Sequence, residues 1–177
     1  MQIQSSLHIH QLKMITPKVH TDFRGEFFES FNQQTYDFKE EENNRIAFVE
    51  DDISTSRKHI LKGLHGDQLT WKLIQCLQGS IFVAVADMRK DSPTYLAVET
   101  FELNDQNRMQ LLIPAGCVNG HLCLSETCIL SYKQSRFYTG AGQQISVRWN
   151  DPLLNIPWPV PDPVLSERDQ QANFITP

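Results

Sequence analysis

Short β-strand patterns separated by turn residues occupy most of the chain between residues 27 and 149. Asp91-Ser92-Pro93 and the run 104–107 are typical of the turns between such strands. Regular spacing of many short strands predicts an all-β sandwich or barrel. The predicted strands are 27–31, 46–54, 73–77, 81–87, 97–103, 109–114, 121–124, 128–134 and 144–149.

One of these strands is apolar on both of its alternating faces. A strand of this kind lies deep in the fold or in an interface, because neither face can be left in water. The residues of one face are Ile81, Val83 and Val85, and those of the other are Phe82, Ala84 and Ala86.

Two helices are predicted. The segment 30–43 places Phe31 and Phe38 at helical spacing and ends in a run of acidic residues. A short helix is predicted to begin near Ser166, after a proline-rich tail that should wrap the barrel in extended form.

Composition excludes several classes of protein. The 177 residues fit one domain, 1–177, with no repeat or linker. A net charge of −5 without a basic cluster argues against nucleic acid, and no apolar run of about 18 residues is present to span a membrane. The four cysteines form no C-x-x-C pair, and the N-terminus lacks the apolar core of a secretory signal, so we expect a cytoplasmic protein.

His65 and Lys72 are candidates for chemistry at the start of the β-rich region. An imidazole with a pKa near 6.5 can act as a general base, or it can simply satisfy a loop carbonyl. Lys72 can stabilise an oxyanion from the mouth of a strand, or it can be an exposed lysine at a strand edge.

Tyr132 and Asp169 are candidates for the rest of an acid–base set. A phenol that points inward can donate a proton opposite His65, although tyrosine is also an ordinary strand residue. Asp169 follows Ser166 by three residues, as in a helix capping box, and can alternatively orient the imidazole of His65 through its far nitrogen.

A catalytic metal is not expected from the histidine spacing. After His65 the next histidine is His121, and the only H-x-H pair is His8-x-His10. Asn119 stands where a metal-binding β-barrel would offer a histidine. Two or three well-spaced ligands are therefore missing.

Eight blocks, together with Tyr132 and Tyr138, match one known family in order and spacing. The chain resembles the dTDP-4-dehydrorhamnose 3,5-epimerases, which are RmlC-like cupins of nucleotide-sugar metabolism. The blocks are 22–29 (DFRGEFFE), 61–65 (LKGLH), 87–94 (DMRKDSPT), 114–116 (PAG), 124–126 (LSE), 149–152 (WNDP), 156–159 (IPWP) and 165–169 (LSERD).

The resemblance implies an all-β cupin-type jelly-roll β-barrel with a few short helices, which forms a homodimer and needs no metal or organic cofactor. It implies a nucleoside-diphosphate 4-keto sugar as substrate, epimerised at C3, C5 or both. The implied catalytic residues are His65 as base, Asp169 as its partner, Tyr132 as acid and Lys72 as stabiliser of the enolate. The implied substrate-binding residues are Arg24, Phe27, Glu29, Lys62, Asn119, His121 and Tyr138.

Several positions depart from the family pattern. Lys62 replaces an arginine, and Glu50 and Asp52 replace two amides that approach the nucleotide. Asn119-Gly120-His121 replaces His-Gly-Phe, which moves a histidine by two positions. Carboxylates should repel phosphate, so the nucleotide or its pose is expected to differ.

The substrate and the reaction retain alternatives. The sequence His65-Gly66-Asp67 and the displaced histidine look like a subgroup that acts on GDP-linked 4-keto-heptoses. A 3,4-ketoisomerase and a non-catalytic sugar-nucleotide-binding cupin are the other possible functions.

Overall fold

The computed structural model describes residues 1–41 and 44–176. In this part of the chain, fifteen strands, a 3-10 turn at Ala141–Gln143 and one short α-helix make up the regular structure. The elements are β1 (Gln2–Ser5), β2 (Lys13–Thr16), β3 (Val19–Asp22), β4 (Gly25–Phe28), β5 (Lys39–Glu41), β6 (Asn44–Arg45), β7 (Glu50–Arg57), β8 (Leu61–Gly66), β9 (Lys72–Gln78), β10 (Ser80–Asp87), β11 (Val98–Asn104), β12 (Gln110–Ile113), β13 (Cys117–Cys123), β14 (Thr127–Gln134), β15 (Ile145–Ser146) and α1 (Glu167–Gln171).

Two antiparallel sheets form the body of the molecule. The first has six strands in the order β1-β2-β12-β9-β14-β7, and the second has five in the order β11-β10-β13-β8-β15. Two further hairpins, β3–β4 and β5–β6, stand apart from them. The prediction of an all-β fold is confirmed.

The main apolar core contains residues from both sheets. Ile81 and Val83 of β10 are completely buried, together with Ile74 of β9 and Leu111 of β12. Each such side chain contributes roughly 1.5–3 kcal/mol on removal from water. The other face of β10 is also covered, since Phe82 packs on Trp158 with ring centroids 5.4 Å apart. The two-sided apolar pattern therefore marks a strand deep within the fold.

The predicted helix 30–43 is wrong within the described residues; residues 42 and 43 lie outside them. Residues 33–35 form a turn, in which the side chain of Asn32 accepts a hydrogen bond from Gln34 N at 2.9 Å. Such local side-chain bonds compete with helical ones. The aromatic residues instead pack on one another, with the Phe31 and Tyr36 rings 5.4 Å apart.

Strand positions were predicted better than strand ends. The predicted strand 46–54 corresponds to β7, which begins four residues later than predicted. Residues 46–49 lead into the sheet without pairing in a ladder. The predicted strand 121–124 is only the end of the longer β13, and the predicted strand 144–149 pairs only at β15.

All four cysteines are buried and unpaired. Among the described residues, no helix has the length and apolarity needed to cross a bilayer.

The C-terminal tail brings α1 to the second sheet. Val164 forms a parallel bridge with Ile60 and accepts a hydrogen bond from Leu61 N at 2.9 Å. The helix then begins after Ser166, whose side chain accepts a hydrogen bond from Asp169 N at 3.2 Å. The predicted short helix is confirmed, and its position beside β8 supplies one residue of the site.

Candidate active site

A cavity of about 410 Å³ lies between the two sheets. On the first sheet, register places Tyr132 of β14 between Asp52 of β7 and Ile74 of β9. Side chains two residues apart share a face of a strand, so Gln134 lies on the same face as Tyr132. The cross-strand partners of Gln134 are Glu50 of β7 and Lys72 of β9. All six line the cavity.

The second sheet supplies the opposite wall. His65 of β8 is paired with Asn119 of β13, and Lys62 is paired with His121 after a bulge in β13. These four side chains line the same cavity. The predicted base and the predicted acid, Tyr132, therefore reach one cavity from different sheets.

His65 and Asp169 form a close pair. Nε2 of His65 lies 2.8 Å from Oδ1 of Asp169, and apart from this contact neither atom has a hydrogen-bond partner in the described residues. Burial opposes ionisation of Asp169, but the contacts with His65, Ser166 and Gly63 outweigh it and lower the pKa of the carboxyl. The two alternatives for Asp169 both hold in part, because its backbone N–H donates to the capping side chain of Ser166 while its carboxylate faces the imidazole.

Lys72 is buried in an interior strand, so the alternative of an exposed strand-edge lysine is wrong. Its Nζ donates hydrogen bonds to the carbonyl of His65 at 3.2 Å and to Oδ1 of Asn119 at 3.1 Å. Burial lowers the pKa of the ammonium to about 8, against a smaller opposing effect of Asp67. The ammonium is thus poorly compensated and available to a developing negative charge.

Lys72→Met should make the folded protein more stable near pH 7 by about 1 kcal/mol. Burying the ammonium costs up to about 3 kcal/mol on the pKa difference from free lysine, and two lost hydrogen bonds offset part of that gain. Because the folded pKa is depressed to about 8, the cost is fully present below that pH. It fades as pH rises toward the unfolded pKa near 10.4.

The measurement is chemical unfolding of both proteins at pH 7 and pH 10. The advantage of the variant should be largest at pH 7 and smaller at pH 10. Lys58→Met, which removes an exposed lysine paired with Glu126, should change stability little at either pH. A Lys72 variant less stable than wild type at pH 7 would contradict the expected cost of burial.

His121 is a buried imidazole with an unused nitrogen. Its Nε2 has no hydrogen-bond partner among the described residues. Burial, and then the charge of Lys62, lower its pKa to about 4, although Asp169 acts in the other direction. At neutral pH the ring is uncharged, so Nε2 can accept or donate a hydrogen bond to a group in the cavity.

The described lining of the cavity does not include three of the predicted substrate-binding residues. Arg24 is on the β3–β4 hairpin and pairs with Asp22 at 2.6 Å, and Phe27 on the same hairpin is 72% exposed. Glu29 accepts hydrogen bonds from two neighbouring side chains. The structure does not bring this group to the cavity within one chain, whereas Tyr138 does line it.

Several lining residues were missed by sequence reasoning, among them Gln134, Gln144 and Arg168. Arg168 donates hydrogen bonds to Gln144 Oε1 at 3.0 Å and to Ser146 Oγ at 2.9 Å, and both Arg168 and Gln144 face the cavity. The position of Arg168 next to Asp169 was a usable signal. No sequence pattern pointed to Gln144, because it follows an irregular loop.

No group of three or more His, Cys, Asp or Glu side chains able to hold a metal ion occurs within 1–41 and 44–176. Metal-independent chemistry stays a prediction.

Comparison with known proteins identifies relatives along nearly the whole chain. Residues 6–176 match the family described as dTDP-4-dehydrorhamnose 3,5-epimerase. The enzyme of that name from Salmonella typhimurium is 38% identical over 99% of this chain and 96% of its own, and that from Pseudomonas aeruginosa is 38% identical over 94% and 92%.

Solved structures agree with the sequence relatives. A Bacillus anthracis dTDP-4-dehydrorhamnose 3,5-epimerase with TDP and PPi bound has a TM-score of 0.89 at 34% identity, over 98% of this chain and 99% of that one. A Legionella pneumophila epimerase in complex with dTDP-4-keto-L-rhamnose has a TM-score of 0.89 at 35% identity, over 98% and 92%. A 3'-monoepimerase from Streptomyces bikiniensis has a TM-score of 0.85 at 26% identity, over 97% and 87%.

The fold and these likenesses define a cupin-type isomerase, with its cavity between two antiparallel sheets. The chain belongs to the dTDP-4-dehydrorhamnose 3,5-epimerase family. The predictions of a cupin-type fold and of an epimerase are confirmed.

Proposed function

We propose that the protein inverts C3, C5 or both of a nucleoside-diphosphate 4-keto sugar by moving protons across the cavity. The supporting observation is that the His65–Asp169 pair and the Tyr132 phenol reach one cavity from different walls. A base and an acid so arranged can serve opposite faces of a sugar ring, which is what inversion requires.

The chemistry begins with loss of a proton next to a ketone. The carbonyl at C4 acidifies the hydrogens at C3 and C5, and His65 removes one through Nδ1, since Nε2 contacts Asp169. The electron pair of the broken C–H bond moves to the oxygen at C4, beside the Lys72 ammonium. Tyr132 then gives its proton to the opposite face of the same carbon, and the ketone re-forms with that centre inverted.

The substrate is proposed to be dTDP- or GDP-linked. Relatives solved with TDP or with dTDP-4-keto-L-rhamnose support a nucleotide sugar as the ligand. Two features favour the sugar of the GDP-linked 4-keto-heptose alternative over a 6-deoxy sugar: the carboxylates of Glu50 and Asp52, and the neutral imidazole of His121. Carboxylates and a neutral imidazole can bind additional sugar hydroxyls, which a heptose has and a 6-deoxy sugar lacks.

The test is proton NMR of dTDP-, GDP- and CDP-linked 4-keto sugars with the protein in deuterated water. Deuterium should appear at each carbon that is inverted, with the carbonyl still at C4. A product with its carbonyl at C3 would identify a ketoisomerase instead. Binding of a sugar nucleotide without exchange from any of these compounds would indicate a non-catalytic binder.

We further propose that residues 1–177 form one domain that acts as a homodimer in the cytoplasm. Unpaired cysteines suit a reducing compartment. The β3–β4 hairpin exposes Phe23 and Phe27 to 97% and 72%, and aromatic residues in such numbers suit an interface. A partner subunit would also explain how Arg24 reaches a nucleotide, although it lies outside the cavity of its own chain.

Light scattering of the purified protein should give twice the chain mass of 20.4 kDa. Phe27→Asp should shift the mass toward that of one chain, whereas Leu7→Asp, at an exposed apolar residue that is not part of the hairpin, should not. A monomeric wild-type protein at micromolar concentration would exclude the dimer.

A further inference from the structure

Two carboxylates stand beside the predicted proton donor, where they are held by a single amide. Nε2 of Gln134 donates hydrogen bonds to Glu50 Oε1 at 2.8 Å and to Asp52 Oδ2 at 3.0 Å. Asp52 is the cross-strand partner of Tyr132, and Glu50 is the partner of Gln134. Glu50 also accepts a hydrogen bond at 2.8 Å from the backbone of Tyr138. The pair is therefore fixed in position next to the phenol.

No cation in the described part of the chain neutralises this pair. Lys133, on the same strand as Tyr132, faces away from the cavity and pairs with Asp51 at 2.6 Å. Lys72 is on the far side of Gln134, but its Nζ bonds to His65 and Asn119. The negative charge of the pair is thus concentrated beside Tyr132.

The other cations around the cavity are held by groups of their own. Lys62 donates to Ser54 Oγ at 2.8 Å and to a backbone carbonyl at 2.9 Å, both on β7. Arg168 is bonded to Gln144 and Ser146.

The remaining ionisable groups facing the cavity add little positive charge. His65 is paired with the Asp169 carboxylate, His121 is uncharged at neutral pH, and Tyr138 carries no cationic group.

The directions of the pKa shifts of Tyr132 and Asp52 agree with this geometry. Burial, and after it the charges of Asp52 and Glu50, raise the pKa of Tyr132. Burial and repulsion by Glu50 also raise the pKa of Asp52, against the hydrogen bond from Gln134. A phenolate at residue 132 would be a third negative charge in one corner of the cavity.

We propose that Glu50 and Asp52 are positioning residues that act on Tyr132, holding its phenol in the protonated, proton-donating form. They lie beside the phenol and are bonded to Gln134, so they disfavour the phenolate whether or not a substrate is bound. The ionisation effect stands on the geometry of the pair; its catalytic meaning rests on the proposed function, in which Tyr132 is the acid.

The test is a titration of the tyrosine side chains by NMR, with carbon-13 at Cζ, from neutral to strongly alkaline pH. The chain has four tyrosines, and the signal of Tyr132 is the one absent from Tyr132→Phe. In wild type its midpoint should lie above the value of about 10 for free tyrosine. Asp52→Asn should lower the midpoint by about one pH unit, and the Glu50→Gln/Asp52→Asn double variant should lower it further.

These substitutions change charge and little else. Asp52→Asn keeps an oxygen that can accept from Gln134, and Glu50→Gln keeps one for the backbone of Tyr138, so the hydrogen bonds persist while the charges go. Circular dichroism at each pH checks that the protein is folded, and Glu50→Gln alone gives an independent reading if the double variant unfolds.

Asp51→Asn is the matched control. It removes the same charge from the adjacent residue, whose side chain faces Lys133 on the other side of the strand. Its effect on the midpoint should be under about 0.2 pH unit, because solvent screens an exposed pair. An unchanged or higher midpoint in Asp52→Asn and the double variant would overturn the proposal, as would an equal shift in Asp51→Asn.

The titration needs no substrate, so it is independent of the proposed function. A lowered midpoint together with absent deuterium exchange would sustain the charge effect and refute the epimerase mechanism. Deuterium exchange together with an unchanged midpoint would support the epimerase mechanism and refute the charge effect.

Discussion

His65→Asn should reduce deuterium exchange into the sugar by about 1000-fold or more. Asparagine is close to histidine in size and can still bond to Asp169, but its amide cannot accept a proton from carbon. Loss of a general base commonly costs about 100- to 10,000-fold. The measurement is the initial rate of exchange, followed by NMR on whichever 4-keto sugar nucleotide the wild-type protein turns over.

Asp169→Asn should cost less, about 10- to 100-fold, because the imidazole remains but loses the carboxylate 2.8 Å from its Nε2. The two residues act as one unit, so the double variant should be no slower than His65→Asn alone. Additive losses would show that Asp169 acts separately from His65.

Glu167→Gln is the control for charge and for helix structure. It removes an exposed carboxylate from the same helix, outside the cavity lining, and should leave the rate unchanged. An Asp169→Asn protein with the full wild-type rate would mean that the pair is structural and that the assignment of the base partner is wrong.

The proposed catalytic residues of the site were easier to predict from sequence than the other residues that line the cavity. The family resemblance implied the acid–base set of His65, Tyr132 and Asp169, and strand alternation then places the first two on inward faces. The helix capping pattern likewise located Asp169 correctly. What sequence lacked was the pairing of strands far apart in the chain, which alone puts Asp52 beside Tyr132.

The predicted helix 30–43 failed for a related reason. Helical spacing of Phe31 and Phe38 is a local pattern, whereas their packing depends on Trp71 and Leu112, which belong to the same aromatic-rich cluster. Contacts with distant residues overrode the local preference. The β3–β4 hairpin shows the same limit, because Arg24 lies outside the cavity lining of its own chain and its predicted binding role depends on the proposed second chain.

Gly66→Ala should destabilise the protein by about 3 kcal/mol or more, and should remove activity as a consequence. An added Cβ would overlap the carbonyl oxygen of Cys117 and lie 2.9 Å from its carbonyl carbon and 3.1 Å from the Cα of Val118. All three atoms belong to the backbone of β13. Gly66 is also paired with Ile145 on its other side, so β8 has no room to move away.

The measurement is the midpoint of urea unfolding, compared with that of Gly142→Ala. Nothing lies within 4 Å of a Cβ at Gly142, so that control should unfold as wild type does. Because Gly66 follows His65 directly, any shift of β8 that relieves the overlap also moves the imidazole away from Asp169. A Gly66→Ala protein with a wild-type midpoint would show that β8 and β13 can move apart. The side of the cavity that these two strands form would then be flexible.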